Sequence, residues 1–140
     1  MQYRTFGTSG IEASVIAMGC WAFAGDMTWG PQEDQQSIAA VHAALDAGVT
    51  FFDTAEGYGD GKSEEVLGRA LEGRRDRAVI ATKVSAEHLR PSDLRASCEA
   101  SLRRLRTDVI DLYQIHWPSR TIPLEETVPT LQALRDEGKI

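Results

Sequence analysis

Four short apolar segments alternate with longer amphipathic segments, and this alternation is the feature that most constrains the fold. The apolar segments are rich in β-branched residues, as buried strands are, and occupy 15–19, 49–52, 78–82 and 109–115. Their starts are 34, 29 and 31 residues apart, the usual length of one strand–helix unit. The segments between and after them show helical periodicity at 33–47, 63–71, 92–105 and 124–137. The pattern predicts a parallel sheet with right-handed crossovers.

Local signals predict where some of these elements begin and end. Ser92 is expected to cap the start of the third helix. Gly48 and Gly138 lie where glycines commonly end helices, so they are expected to terminate the first and fourth. Before the first strand, residues 3–13 predict a small hairpin around a glycine turn.

Strand–helix units in series fit two architectures, a β/α barrel or a doubly wound open sheet. A complete barrel has eight units and usually about 250 residues, whereas this chain of 140 residues carries four and stops where a fifth strand is expected. We therefore expect a single α/β domain over residues 1–140. It would comprise the first four units of a (β/α)8 TIM barrel, preceded by the hairpin and truncated before the fifth strand. Its open edges predict self-association or a complementary half-barrel.

Charge and cysteine content exclude several classes of function. The net charge is −6 and the basic residues are dispersed, so neither nucleic acid nor an anionic membrane is an expected partner. The longest mostly apolar run, residues 15–25, is too short to span a bilayer. Cys20 and Cys98 stand 78 positions apart with no neighbouring cysteine. This favours reduced thiols in a cytoplasmic protein over a disulfide or a metal site.

Three ionisable residues follow predicted strands at the point where each strand ends. They are Asp53, Lys83 and His116, and Tyr58 lies in the loop after Asp53. Because the carboxyl ends of parallel strands meet at one rim, we expect these side chains to converge. Lys83 would stabilise a developing phenolate on Tyr58, Asp53 would keep Lys83 charged, and His116 could hydrogen-bond a carbonyl. Such a set suits proton delivery to a carbonyl while a nicotinamide supplies hydride.

The residues around these positions resemble the aldo-keto reductase superfamily. The resemblance is carried by four motifs, Phe52–Gly59, Ser63–Gly68, Thr82–Lys83 and Asp108–Trp117, and covers almost the whole chain. It implies NADPH-dependent reduction of aldehydes and ketones on a β/α barrel. It also implies a catalytic tetrad of Asp53, Tyr58, Lys83 and His116, with Tyr58 as the general acid.

The same resemblance implies where cofactor and substrate lie. Gly19, Cys20, Trp21 and Asp53 would lie beside the nicotinamide ribose, and Trp21 and Trp117 would line the substrate pocket. Cys20 stands where threonine is common in the family. In the family, most contacts to the rest of NADPH come from later strands and loops, so the resemblance implies that one copy of this chain lacks a complete cofactor site.

Other interpretations of these residues remain open at this point. Relatives of the same fold can act as non-catalytic modules that sense cofactor or assemble with partners. Residues 57–63 imitate the phosphate-binding loop GxxxxGK[ST], but Glu56 holds the position of its first glycine. Asp111, inside an apolar strand, is expected to have a buried partner, whereas His42 and His88 are expected to have no role in the site.

Overall fold

A computed structural model describes residues 1–140 and shows a two-stranded hairpin followed by a four-stranded parallel sheet. The hairpin pairs β1 (Tyr3–Thr5) with β2 (Glu12–Ser14) in antiparallel register. The sheet contains β3 (Ala17–Gly19), β4 (Phe51–Asp53), β5 (Val79–Val84) and β6 (Leu112–Ile115), in that spatial order. The sequential order is that of a β/α barrel, so the barrel architecture is confirmed over the doubly wound sheet.

A helix follows each strand of the parallel sheet. These are α1 (Asp34–Asp46), α2 (Lys62–Ala70), α3 (Pro91–Leu105) and α4 (Leu124–Asp136). A short 3-10 helix at Trp21–Ala24 comes between β3 and α1. None of these helices combines the length and the apolar character needed to cross a membrane.

The helix ends follow the sequence signals with one exception. Gly48 and Gly138 lie directly beyond the caps of α1 and α4 with φ of 85° and 75°, a left-handed conformation that closes the last turn. The prediction that Ser92 caps α3 is wrong. The helix already begins at Pro91, whose fixed φ and missing N–H suit the first helical position, so Ser92 lies inside the first turn.

The two faces of the parallel sheet have different environments. Alternate residues point to opposite faces of a strand, and the set that includes Phe52, Ile80 and Val84 is fully buried in one core cluster with the helices. On the opposite face the small Ala81 is fully buried, but the larger Phe51, Val79 and Leu112 are only half-buried. The sheet is therefore packed on its helical face and open on its inner face.

Ion pairs fix the helices and the sheet edge. Glu64 in α2 is fully buried and accepts hydrogen bonds from Thr82 Oγ1 at 2.6 Å and Arg104 Nε at 2.7 Å. Asp111 Oδ2 accepts from Arg75 Nη2 and from the Ile80 amide at 2.8 Å, so the partner expected for Asp111 is found. The Glu64 contacts connect α2 to β5 and to α3. The Asp111 contact connects the segment before β6 to β5.

The residues after α4 return to the sheet. The Lys139 carbonyl accepts a hydrogen bond from the Ile110 amide at 3.0 Å, and Ile140 packs against the core cluster. Residues 139–140 therefore lie beside the segment that leads into β6, on the free edge of the sheet.

Candidate active site

The carboxyl ends of β4, β5 and β6 bring three predicted residues together. Asp53 is the last residue of β4, Lys83 lies near the end of β5, and His116 directly follows β6. The Lys83 ammonium donates hydrogen bonds to Asp53 Oδ2 and to the Thr54 carbonyl, both at 2.7 Å. An ammonium with two oxygen partners cannot swing toward solvent without losing both, so Lys83 is held at the rim.

Tyr58 completes the cluster from the loop between β4 and α2. Its ring centroid lies 5.2 Å from Lys83 Nζ, and the His116 ring meets it edge-on at 5.6 Å between centroids. The loop is fixed at Gly59, where φ is 62° and an added Cβ would approach the Ala24 Cβ to 2.9 Å. The structure thus places the four residues of the predicted tetrad within one small volume.

His116 is electrostatically distinct within this cluster. Burial lowers its pKa below the ordinary value, and the nearby Lys83 charge lowers it further. The imidazole is therefore neutral at pH 7 and carries one ring N–H that can donate a hydrogen bond. A neutral donor beside an ammonium and a phenol suits polarisation of a carbonyl without adding a second full charge.

Glu56 supports the Tyr58 loop, a role that the sequence did not indicate. Its buried Oε1 accepts hydrogen bonds from the Ser85 amide at 2.7 Å and from His88 Nδ1 at 2.9 Å. Burial alone would raise its pKa, but the bonds from Ser85, His88 and Ser97 outweigh burial and the pKa is lowered. Glu56 is thus an anion that links the loop carrying Tyr58 to the loop after β5. His88, expected to have no role, holds this carboxylate.

Aromatic side chains surround the cluster. Trp21 stacks on Tyr58 with a centroid separation of 5.7 Å, and Trp117 stacks on His116 at 6.0 Å. Trp29, which sequence reasoning missed, meets Trp21 at nearly right angles. Trp29 lies in an irregular loop, so no periodicity in the sequence could place it here.

The residues predicted to contact the cofactor divide into two groups. Gly19 is exposed, pairs in register with Asp53, and has open space where a Cβ would stand. The Cys20 thiol is instead fully buried, and burial raises its pKa to about 12, with the Asp53 charge as a second cause. Its amide donates to the Asp53 carbonyl, and its carbonyl accepts from Ser63 Oγ. Gly19, Trp21 and Asp53 can therefore contact a ligand, whereas the buried Cys20 side chain cannot.

The imitation of a phosphate-binding loop is not realised. Lys62 Nζ donates to Asp34 Oδ2 at 2.8 Å, which directs it toward α1. Ser63 is fully buried and its hydroxyl donates to the Cys20 carbonyl at 2.7 Å. Lys62 and Ser63 are both engaged elsewhere, so the geometry argues against a nucleoside triphosphate site.

The fold and the site together give four strand–helix units arranged as in a β/α barrel, with a cluster of ionisable side chains at the carboxyl ends of the strands. Comparison with known proteins gives the family. The model of the aldo/keto reductase family matches residues 15–140. The chain belongs to that family.

Three relatives show the extent of the match. The aldo-keto reductase YhdN of Bacillus subtilis (strain 168) is 43% identical over 150 residues, which cover 100% of this chain and 45% of the relative. An aldo-keto reductase from Klebsiella pneumoniae in complex with NADPH is 43% identical with a TM-score of 0.84, over 92% of this chain and 44% of its own. The thermostable aldo-keto reductase Tm1743, with the inhibitor epalrestat, is 40% identical with a TM-score of 0.92, and the match covers 100% of this chain and 52% of that one. The chain thus spans about half the length of its relatives.

Proposed function

We propose that residues 1–140 carry the proton-delivering part of an NADPH-dependent reductase of aldehydes and ketones. One observation carries the proposal: the Lys83 ammonium is bonded to Asp53 and lies 5.2 Å from the Tyr58 ring, beside neutral His116. This is an acid with a nearby cation and a separate hydrogen-bond donor, at the rim where barrel enzymes do their chemistry.

Each residue of the cluster has a distinct task. Tyr58 donates its phenolic proton to the carbonyl oxygen of the substrate as that oxygen gains negative charge. The Lys83 ammonium, 5.2 Å from the ring centroid, stabilises the phenolate that remains, because a nearby opposite charge favours the ionised form. Asp53 holds the Lys83 ammonium in place through their 2.7 Å hydrogen bond. The N–H of neutral His116 donates a hydrogen bond to the carbonyl oxygen and orients it.

The residues near Asp53 fit a nicotinamide cofactor. Gly19 leaves open space beside the Asp53 carboxylate, where one oxygen is bonded to Lys83 and the other can accept from a ribose hydroxyl. We propose that Gly19, Trp21 and Asp53 hold the nicotinamide ribose of NADPH, the cofactor named for the Klebsiella relative. NADPH bound there would supply hydride to the carbonyl carbon.

We further propose that residues 1–140 act as one domain within a larger barrel-like assembly. The half-buried residues Phe51, Val79 and Leu112 lie on the inner face of the sheet, and barrel interiors are filled by side chains from all strands. A second copy of this chain or a complementary half-barrel would cover them. Sedimentation of the purified chain alone and with candidate partners tests this: a monodisperse monomer that binds no partner contradicts it.

The experiment for the catalytic proposal compares two tyrosines. NADPH binding is first measured by fluorescence titration, and reduction of a panel of aldehydes and ketones is then followed by NADPH absorbance. Tyr58→Phe should lower kcat by about 10²–10⁴-fold with the Kd for NADPH unchanged, since only proton transfer is lost. The control is Tyr113→Phe, because that phenol is buried in the core cluster and its hydroxyl has no hydrogen-bond partner.

The outcomes separate an enzyme from a binding module. Loss of rate in Tyr58→Phe but not in Tyr113→Phe supports the proposed chemistry. Equal rates in wild type and Tyr58→Phe contradict it. NADPH binding without turnover, unaffected by Tyr58→Phe, would instead identify a cofactor-sensing or assembly module.

A further inference from the structure

Glu56 joins the loop that carries Tyr58 to the backbone of β5 and of the residue after it. The Glu56 amide donates a hydrogen bond to the Lys83 carbonyl at 3.3 Å, and the Glu56 Oε1 accepts one from the Ser85 amide at 2.7 Å. Tyr58 follows two residues later. Glu56 therefore fixes the loop, just before the phenol, against the strand that carries the Lys83 ammonium.

The Glu56 carboxylate is a firm point of attachment because it is both charged and buried. The residue is only 8% exposed, and the same Oε1 also accepts from His88 Nδ1 at 2.9 Å. Hydrogen bonds to a charged acceptor are stronger than those between neutral groups. A buried carboxylate that loses its donors is left unsatisfied at a large cost in free energy. The loop therefore cannot move away from Ser85 and His88 without that cost.

The ring of Tyr58 is held by weaker contacts. It stacks on Trp21 at 5.7 Å, the His116 ring meets it edge-on at 5.6 Å, and Lys83 Nζ lies 5.2 Å from its centroid. Aromatic and cation–π contacts tolerate a range of distances and angles. They do not by themselves set the phenol to within an ångström, so the backbone held at Glu56 decides where the phenol lies.

We propose that Glu56 is a positioning residue for Tyr58: its carboxylate, bound by the Ser85 amide and by His88, sets the place of the phenol relative to the Lys83 ammonium. The proposal rests on the proposed role of Tyr58 as the acid. A misplacement of about 1 Å at a reacting group costs about 10²-fold in rate. Loss of the Glu56 carboxylate should therefore lower kcat by about that factor and leave the Kd for NADPH unchanged.

A cleft of about 500 Å³ leads from solvent to Glu56 without passing through the catalytic cluster. Glu56 is the most buried of the ionisable residues that line it, and Ser85 and His88 line it as well. None of the four residues of the predicted tetrad belongs to its wall. Glu56→Ala removes a CH₂–COO⁻ group, which has the carbon and oxygen atoms of acetate. The cleft should therefore admit acetate to the position of the lost carboxylate.

Rescue by acetate tests the proposal in the rate of carbonyl reduction. Glu56→Ala should lose about 10²-fold in kcat, and added acetate should restore part of that loss saturably. Acetamide at the same concentration should restore less, because it has the shape of acetate without its charge. Tyr58→Phe should gain nothing from acetate, since it has no phenol to position. A Glu56→Ala variant with the kcat of wild type overturns the proposal, as does one that acetate accelerates no more than acetamide.

Two substitutions at Ser85 separate the hydrogen bond from the side chain. Ser85 has a φ of −70°, which proline also adopts, and Val84 before it lies in a strand, as proline prefers. Ser85→Pro therefore removes the amide donor, and its ring carbon Cδ displaces the Glu56 carboxylate. Ser85→Ala keeps the donor and is the matched control. We expect Ser85→Pro to lower kcat as Glu56→Ala does and Ser85→Ala to leave kcat unchanged; equal kcat values in the two Ser85 variants contradict the proposal.

The position of Tyr58 can also be followed without turnover. The chain has 3 tyrosines, so ring-labelled tyrosine gives three sets of ¹H–¹³C signals, and Tyr58→Phe identifies the set that belongs to Tyr58. Ring currents from Trp21 and His116 shift these signals. Glu56→Ala and Ser85→Pro should move them toward their values in the unfolded chain, and acetate should return them in Glu56→Ala. Tyr58 signals that stay in place in both variants refute the proposal.

The proposed function and this inference fail differently. If Tyr58→Phe reduces carbonyls as fast as wild type but Glu56→Ala still moves the Tyr58 signals, the catalytic proposal fails and the positioning role stands. If Tyr58→Phe loses its rate while Glu56→Ala and Ser85→Pro keep both kcat and the Tyr58 signals, the positioning role fails and the catalytic proposal stands. Far-UV circular dichroism and thermal unfolding confirm that each variant is folded, and Ser85→Pro decides the question if Glu56→Ala does not fold.

Discussion

Gly68 lies at the closest approach of α2 to α3, and Gly68→Ala should destabilise the chain. An added Cβ would stand 2.8 Å from the carbonyl carbon and 2.9 Å from the Cα of Leu105, and still closer to the Arg104 carbonyl oxygen. All three are backbone atoms at the end of α3, so no side chain can rotate away. The two helices must separate instead.

The size of the effect follows from two opposing contributions. Overpacking of this kind costs about 1–3 kcal/mol, and contacts with backbone on two residues place it near the upper value. Alanine gains about 1 kcal/mol over glycine inside a helix. The net loss is about 2 kcal/mol. With an unfolding entropy of about 2.1 cal/mol/K per residue over 140 residues, the Tm falls by about 7 °C.

Thermal and urea unfolding followed by far-UV circular dichroism measure this effect. Gly19→Ala is the control, because Gly19 lies in a strand with no atom within 4 Å of the added Cβ. It should leave stability unchanged or raise it by about 0.4–1 kcal/mol through the unfolded state. A Gly68→Ala variant as stable as wild type would show that the close contact between α2 and α3 does not exist in solution.

Three further outcomes are expected. Because the Lys83 charge is the second cause of the lowered His116 pKa, after burial, Lys83→Met should raise that pKa, as measured by NMR titration; an unchanged pKa contradicts the proximity of the two groups. Burial raises the pKa of Cys20 to about 12 and of Cys98 to about 11, so neither thiol should react with a disulfide reagent at pH 8 until the chain is unfolded, and a rapidly labelled thiol in the native state would refute this. Gly19→Leu should abolish NADPH binding in a folded chain, and retained binding would place the ribose elsewhere.

The fold could be predicted from sequence because its signals are periodic. Alternating apolar and amphipathic segments located the four strands of the parallel sheet and the four α-helices, with boundaries that differ by a few residues. No pattern predicted the 3-10 helix at Trp21–Ala24. The strand predicted at 109–115 begins only at Leu112. The Ile110 amide donates to the Lys139 carbonyl, and the Asp111 carboxylate accepts from Arg75, so neither residue joins the hydrogen bonds between β5 and β6. Such partners are distant in sequence and leave no local pattern.

The clustering of Asp53, Lys83 and His116 could be predicted for a topological reason, whereas their surroundings could not. Asp53, Lys83 and His116 lie at or next to the carboxyl ends of strands, and the ends of neighbouring parallel strands lie at one edge of the sheet. The supporting contacts of Glu56 and Trp29 depend on the paths of irregular loops, which no spacing encodes. The direction of the Cys20 side chain into the core likewise depends on how the chain leaves β3 for the 3-10 helix.

The 2.7 Å bond between Lys83 and Asp53 also has a kinetic meaning, because it joins residues 30 positions apart on adjacent strands. A slip of one residue between β4 and β5 would turn one of the two side chains to the opposite face of the sheet. The bond can therefore form only in molecules in which the segment connecting β4 to β5 has folded and the two strands have paired in the native register. His116 adds the same requirement for β6. The appearance of the low-pKa His116 resonance during refolding would thus report, in a single signal, that β4, β5 and β6 have paired.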